Sequence, residues 1–101
     1  MADANKPLWQ RSACELAEAI ASRTVTAVEA VGDAVARMRA TNGKINAVVN
    51  DLGDAALREA EAHDKTMSAR GPIGPLHGVP VTIKENIDQK GCPTPNGVVA
   101  F

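Results

Sequence analysis

At 101 residues the chain has room for one small domain, and 18 of its apolar residues are alanine, so the stock of large core side chains is lean. Two aromatic residues, Trp9 and Phe101, with no Tyr, exclude a stacking platform for single-stranded nucleic acid. Eleven Lys and Arg against twelve Asp and Glu give a net charge of −1, which excludes a chain-wide basic footprint for DNA and a polybasic membrane-surface binder.

Residues 1–11 read as a loose N-terminal arm. Asp3, Asn5 and Pro7 oppose early helix, whereas Leu8 and Trp9 are suited to dock on the body. Ser12-Ala13-Cys14-Glu15 is a capping box that opens a first helix, about 12–22, with Leu16 and Ile20 as its apolar edge. Thr26-Ala27-Val28-Glu29 repeats the device and opens a second helix, about 26–41. Val28, Val31, Val35 and Met38 recur at helical spacing along one face, and Asp33 and Arg37 form an i, i+4 pair on another. Gly32 weakens the middle of this helix or admits a close neighbour. Asn42-Gly43 supplies a left-handed stop.

Ile45 to Val49 is a short apolar run, read as a strand or an extended packing segment. A third helix, about 52–69, follows. Leu57, Ala60, His63 or Asp64, and Met67 line its face, while Asp54/Arg58 and Glu61/Lys65 are favourable pairs. That face is mostly Ala, so it packs closely but contributes little apolar area. Gly71-Pro72 ends the helix.

From Gly71 to Pro80 three Gly and three Pro stand within ten residues, the composition of a rigid turn. Val79, Val81 and Ile83 then alternate with Pro80, Thr82 and Lys84, which predicts a strand over about 79–84 with Lys84 on the face opposite the apolar trio. A second turn-rich stretch, Gly91 to Gly97, leads to Val98-Val99-Ala100-Phe101. Those four apolar residues carry no cap or charge and read as a cut through an element that continues.

Cys14 and Cys92 are too few and too far apart for a disulfide framework, and together with the polar N-terminus they suggest a reduced, cytoplasmic protein. No run approaches the roughly 18 apolar residues of a membrane span. No Cys, His or Asp cluster has metal-ligand spacing, so His63 and His77 read as packing or surface residues. Nothing marks Cys92 as a nucleophile, and Thr94 is open between positioning a loop and simple turn chemistry. Lys84 is distinguished by position: it ends a strand-like run between Gly/Pro-rich loops, where sites gather in α/β sheets. A lone lysine in that place is still most often a solvated charge.

The run Gly74-Pro75-Leu76-His77-Gly78-Val79-Pro80-Val81-Thr82-Ile83-Lys84-Glu85-Asn86-Ile87-Asp88 resembles the opening block of the amidase signature family, G-P-L-x-G-(V/I)-P-x-x-(I/V)-K-D-N. The preceding order is similar too: two capped helices, Asn46-Ala47-Val48, an Ala-rich helix with Ala60 and Asp64, then the Gly-Pro turn. The resemblance extends over residues 8–101. It implies an α/β fold, a mixed sheet surrounded by helices, of which residues 12–101 supply the N-terminal helices and first strand.

The resemblance further implies amide hydrolysis through a Ser–cis-Ser–Lys triad, with Lys84 as the triad lysine and no cofactor or metal. A lysine that relays protons must be neutral, because an ammonium has no lone pair to accept one. Two positions depart from the pattern: Glu85 replaces the usual Asp, keeping the charge, and Val98 follows Gly97 where many members have Ser. Ser12, Ser22 and Ser68 all lack a Gly-rich setting, so the catalytic serines are expected beyond residue 101 and the isolated chain is expected to be inactive.

The implied partners are a small-molecule amide substrate and the rest of the amidase chain, with a homo-oligomer possible and neither membrane nor direct nucleic-acid binding. The same motif occurs in the A subunit of the glutamyl-tRNA(Gln)/aspartyl-tRNA(Asn) amidotransferase, which would bring further subunits. The alternative from another class is a non-catalytic helical module that binds a partner through its Ala-rich faces.

Overall fold

The computed structural model describes residues 6–84 and 86–92. A 3₁₀ turn, Leu8–Gln10, leads into three α-helices: α1 (Ala13–Ala21), α2 (Ala27–Ile45) and α3 (Gly53–Arg70). None of these helices is long and apolar enough to cross a membrane.

Both capping boxes form. The Glu15 amide donates to Ser12 Oγ (3.1 Å) and the Ser12 amide to Glu15 Oε1 (2.9 Å). At α2 the Glu29 amide donates to Thr26 Oγ1 (3.1 Å) and the Thr26 amide to Glu29 Oε1 (3.0 Å). The first helix ends in a left-handed residue, Arg23 (φ 66°). The Thr24 amide reaches back to Ala19 O (3.0 Å) and the Arg23 amide to Ile20 O (3.1 Å), a Schellman pattern in which Arg occupies the place glycine usually takes. The Arg23 guanidinium donates to Met67 O (2.8 Å) and so ties this corner to the last turn of α3.

The second helix runs past Asn42-Gly43, where the sequence predicts a stop, and ends at Asn46, which takes the left-handed conformation (φ 51°). The Asn42 side chain grips the chain as it returns: its amide donates to Val48 O (2.9 Å) and its carbonyl accepts from the Val48 amide (2.8 Å). This clamp opens out Ile45 to Val49: Ile45 belongs to the helix and the next four residues form neither helix nor strand.

Helices α2 and α3 form an antiparallel hairpin around Ala27, Val31 and Ala60, with Val28, Val35, Ala56 and Leu57 against them. Small residues let the helices approach. A Cβ on Gly53 would stand 2.7 Å from the Arg39 guanidinium, 2.8 Å from Val35 Cγ1 and 2.9 Å from Asp51 Oδ1, so a side chain there would displace its neighbours. Asp51 accepts from the Gly53 amide (2.7 Å) and from Arg39 Nε (2.9 Å), and Arg39 also reaches Asp54 (3.1 Å). At the other end of the hairpin the Asp64 carboxylate of α3 accepts from the Ala27 amide (2.7 Å) and the Val28 amide (3.0 Å). A second small core, Leu16, Ile20 and Ala30, joins α1 to α2, with Leu8, Val25 and Val79 packed on it.

The N-terminal arm docks through Trp9. Its amide donates to Asp33 Oδ2 (2.9 Å) and its ring lies 4.2 Å beneath the Arg37 guanidinium. The sequence-predicted i, i+4 pair is thereby directed to the arm.

The α/β expectation is not met by the described residues. They contain no strand, and the predicted strand at 79–84 has no regular structure. An extended segment becomes a strand only by exchanging ladder hydrogen bonds with a neighbour, and none lies beside this one among the described residues. Isolated bridging between Gln89 and Cys92 closes a turn. Glu85, Thr94, the Gly97-Val98 departure and the apolar end at 98–101 lie outside the described residues.

Replacing Asp64 by Ala should lower stability by about 2–3 kcal/mol, since two backbone donors lose a charged acceptor, and Asp64→Asn by less. An unchanged urea midpoint in Asp64→Ala would remove the cap from the account. Acid should act at the ion-paired carboxylates Asp51 and Glu15. Asp51 is held below the usual carboxylate range by hydrogen bonds from Arg39 first and the Gly53 amide second, and Glu15 by the Ser12 amide first and Lys6 second. Both values are depressed on folding, so their stabilisation is present above the ordinary carboxylate pKa and is lost as pH falls through the lowered values. The urea midpoint should therefore decline below about pH 4.5, with a shallower decline in Asp51→Asn.

Candidate functional site

The segment after α3 carries the motif that distinguishes the sequence. Gly71 (φ 92°) turns the chain out of α3, its amide donating to Met67 O (3.1 Å). The turn folds on itself through His77 N to Gly74 O (3.2 Å) and Val79 N to Leu76 O (3.1 Å). Gly78 (φ 81°) then seats against α1 and α2, where a Cβ would stand 2.9 Å from Ala27 Cβ and 3.2 Å from Ile20 Cδ1.

His77, which the sequence offers as a packing or surface residue, is buried. Its Nδ1 accepts from the Ile73 amide (3.2 Å), and its Nε2 stands 2.9 Å from the carbonyl of His63 on α3. Because Nδ1 must be a bare acceptor, the proton sits on Nε2 and is donated to that carbonyl. The His63 ring meets it edge-on, with centroids 5.0 Å apart.

Lys84 lies on the surface, and its amine has no hydrogen-bond or ion-pair partner among the described residues. Its carbonyl accepts from the Ile87 amide (3.0 Å), which closes a turn just after it. Of the predicted apolar trio, Val79 is half-buried against the Leu16/Ile20 core, while Val81 and Ile83 are exposed, as are Ile73, Leu76 and Ile87 nearby. The candidate lysine thus stands in a stretch of uncovered apolar side chains. Asp88 is exposed, and Cys92 accepts from Asn50 Nδ2 (3.7 Å).

The three serines do not gather at Lys84. Ser12 is a cap, Ser22 Oγ donates to Ala19 O (3.1 Å), and Ser68 lines a shallow cleft of about 340 Å³ beside α3 with Ile20, Arg23, Val25, Thr26, Asp64 and Met67. The two charged groups of that cleft are already engaged, Asp64 by the α2 amides and Arg23 by Met67 O, so it offers no free chemistry. Sequence reasoning missed Asp64 as a cap and His77 as an anchor. The single signal for either was a polar residue at a core-facing position, which does not name its partner.

The Amidase family profile matches residues 29–101, which include the whole motif. The chain belongs to the amidase family. Among relatives of this amidase-family chain, an indoleacetamide hydrolase of Bradyrhizobium diazoefficiens is 52% identical over 94 residues, 93% of this chain and 18% of the relative. An amidase of Gibberella zeae is 36% identical over 99% of this chain and 18% of its own length. The A subunit of a glutamyl-tRNA(Gln) amidotransferase from Geobacter sulfurreducens is 38% identical over 89% of this chain and 18% of its own length. The chain therefore spans less than a fifth of the length of these relatives. No solved structure matches it.

Proposed function

We propose that this chain is the N-terminal segment of an amide hydrolase and that Lys84 is the lysine of its Ser–cis-Ser–Lys triad. The observation that carries this reading is the Gly74–Asp88 motif lying inside the family match. Residues 12–101 belong on this reading to a single amidase domain, whose sheet and serines come from further polypeptide. Val81, Ile83 and Ile87, exposed here, are the side chains that polypeptide would cover.

In the complete site the neutral Lys84 amine accepts the proton of the cis-Ser hydroxyl as that hydroxyl takes the proton of the nucleophilic Ser. The nucleophile's Oγ bonds to the amide carbon, and the carbonyl π electrons move onto oxygen, where backbone amides receive them. The carbon–nitrogen bond then breaks, the relay returns a proton to the departing amine, and an acyl-serine ester remains. Water hydrolyses the ester to a carboxylic acid and restores the serine. No step calls for a metal or cofactor.

Hydrolysis is the preferred reaction because the indoleacetamide hydrolase is 52% identical, against 38% for the amidotransferase chain. A primary arylacetamide is accordingly the substrate class. The second reading, an amidotransferase A subunit, rests on the several relatives of that name and would require partner subunits.

In the complete polypeptide, Lys84→Ala should lower ammonia release from indoleacetamide by on the order of a thousandfold or more while leaving the circular dichroism spectrum unchanged. Retention of a tenth of the activity would end the assignment of Lys84. Ammonia transfer to glutamyl-tRNA, with no hydrolysis of arylacetamides, would favour the second reading. The 101-residue chain by itself should show no turnover in the same assay.

A further inference from the structure

From Gly71 to Pro80 the larger apolar side chains, Ile73 and Leu76, point to solvent, and His77 is the one buried side chain. A turn rich in Gly and Pro is thus held to the helices by an imidazole and by the backbone at Gly78. The two ring nitrogens have opposite roles. Nδ1 gathers the start of the turn through the Ile73 amide, and Nε2–H fixes its end to His63 O in the third quarter of α3. A helical carbonyl has a second lone pair, so this bond forms without unravelling α3. Immediately after the imidazole, Gly78 seats on Ala27 and Ile20, and Val79 packs on the α1–α2 core. The point from which the chain departs toward Lys84 is therefore set by three consecutive residues, His77, Gly78 and Val79.

We infer that His77, in the Nε2–H tautomer, is a positioning residue for Lys84: it fixes the origin of the segment that carries the lysine, without touching substrate. The inference rests on the amidase reading for its catalytic consequence and on the structure alone for its mechanical one. A carboxamide can reproduce each half of the contact. The Oδ1 of Asn stands where Nδ1 accepts from Ile73, and the Nε2 of Gln where the imidazole donates to His63 O.

Two measurements test it. In the 101-residue chain, imidazole ¹⁵N shifts should report the Nε2–H tautomer, and the Ile73 amide should exchange at least tenfold faster in His77→Ala, with protection regained in His77→Asn. An Nδ1–H tautomer, or equal Ile73 exchange in parent and His77→Ala, would overturn the latch. In the complete enzyme, His77→Ala should reduce kcat about tenfold and leave KM within about twofold, with His77→Gln or His77→Asn recovering part of kcat. An unchanged kcat in His77→Ala, beside an inactive Lys84→Ala, would overturn the positioning role and leave the amidase reading standing. An active Lys84→Ala would overturn the amidase reading while the exchange and tautomer data still decide the latch. Misfolding of His77→Ala is separated from lost positioning by the Asn and Gln variants, because failure of both to recover any kcat while folded refutes the inference.

Discussion

The fold depends on one carboxylate placed across a helix terminus. Asp64 reaches from α3 to the first two amides of α2, Ala27 and Val28, and the next amide, Glu29, is taken by Thr26 Oγ1. The first turn of α2 is thus satisfied without water at the point where Ala27 is completely buried. A negative group there also meets the positive end of the α2 dipole. Position and charge act together: the bond fixes how far α3 can slide along α2, so Ala60 falls opposite Ala27 and Val31.

A hairpin faced with alanine needs such devices. Ala27, Ala56 and Ala60 permit close approach but remove little apolar area from water. Polar ties therefore stand at both ends of the α2–α3 contact: Asp64 at one, and Arg39 with Asp51 and Asp54 at the other. Arg23 adds a third tie, from the α1–α2 corner to Met67 O. The exposed Arg39 pairs are individually weak in water. Their importance is geometric, because the same Asp51 carboxylate that holds Arg39 also receives the Gly53 amide and begins α3.

Local chemistry was legible in the sequence, and contact partners were not. Ser12-x-x-Glu15 and Thr26-x-x-Glu29 are self-contained, since every atom of each box lies within four residues, and both form. The end of α2 misled because Asn42-Gly43 has two physical uses. Asn can take a left-handed stop, but here that role passes to Asn46 and the Asn42 side chain clamps Val48 instead. The choice depends on a return path that periodicity does not describe. Asp33 and Arg37 show the same ambiguity: their spacing suits a mutual pair, yet both serve Trp9. The alternation at 79–84 reports a face to be buried and is silent about whether the burying surface is present.

That last distinction governs how the candidate lysine is to be understood. Its recognition rests on a motif, and a motif fixes order along the chain without fixing environment. A lysine acts as a base only when its ammonium is made unfavourable by lost hydration or nearby positive charge. Lys84 on the described surface is exposed, with Val81, Ile83 and Ile87 exposed around it. On the proposed reading these observations have one cause: the surface that would bury the apolar side chains is also the surface that would strip water from the amine. What the described residues contribute is the rigid end of that arrangement. Gly78 is pressed on Ala27, whose amide is held by Asp64, and His77 is bonded to the helix that carries Asp64. The cap that orders the helical hairpin and the anchor that orders the motif are consequently parts of one connected structure.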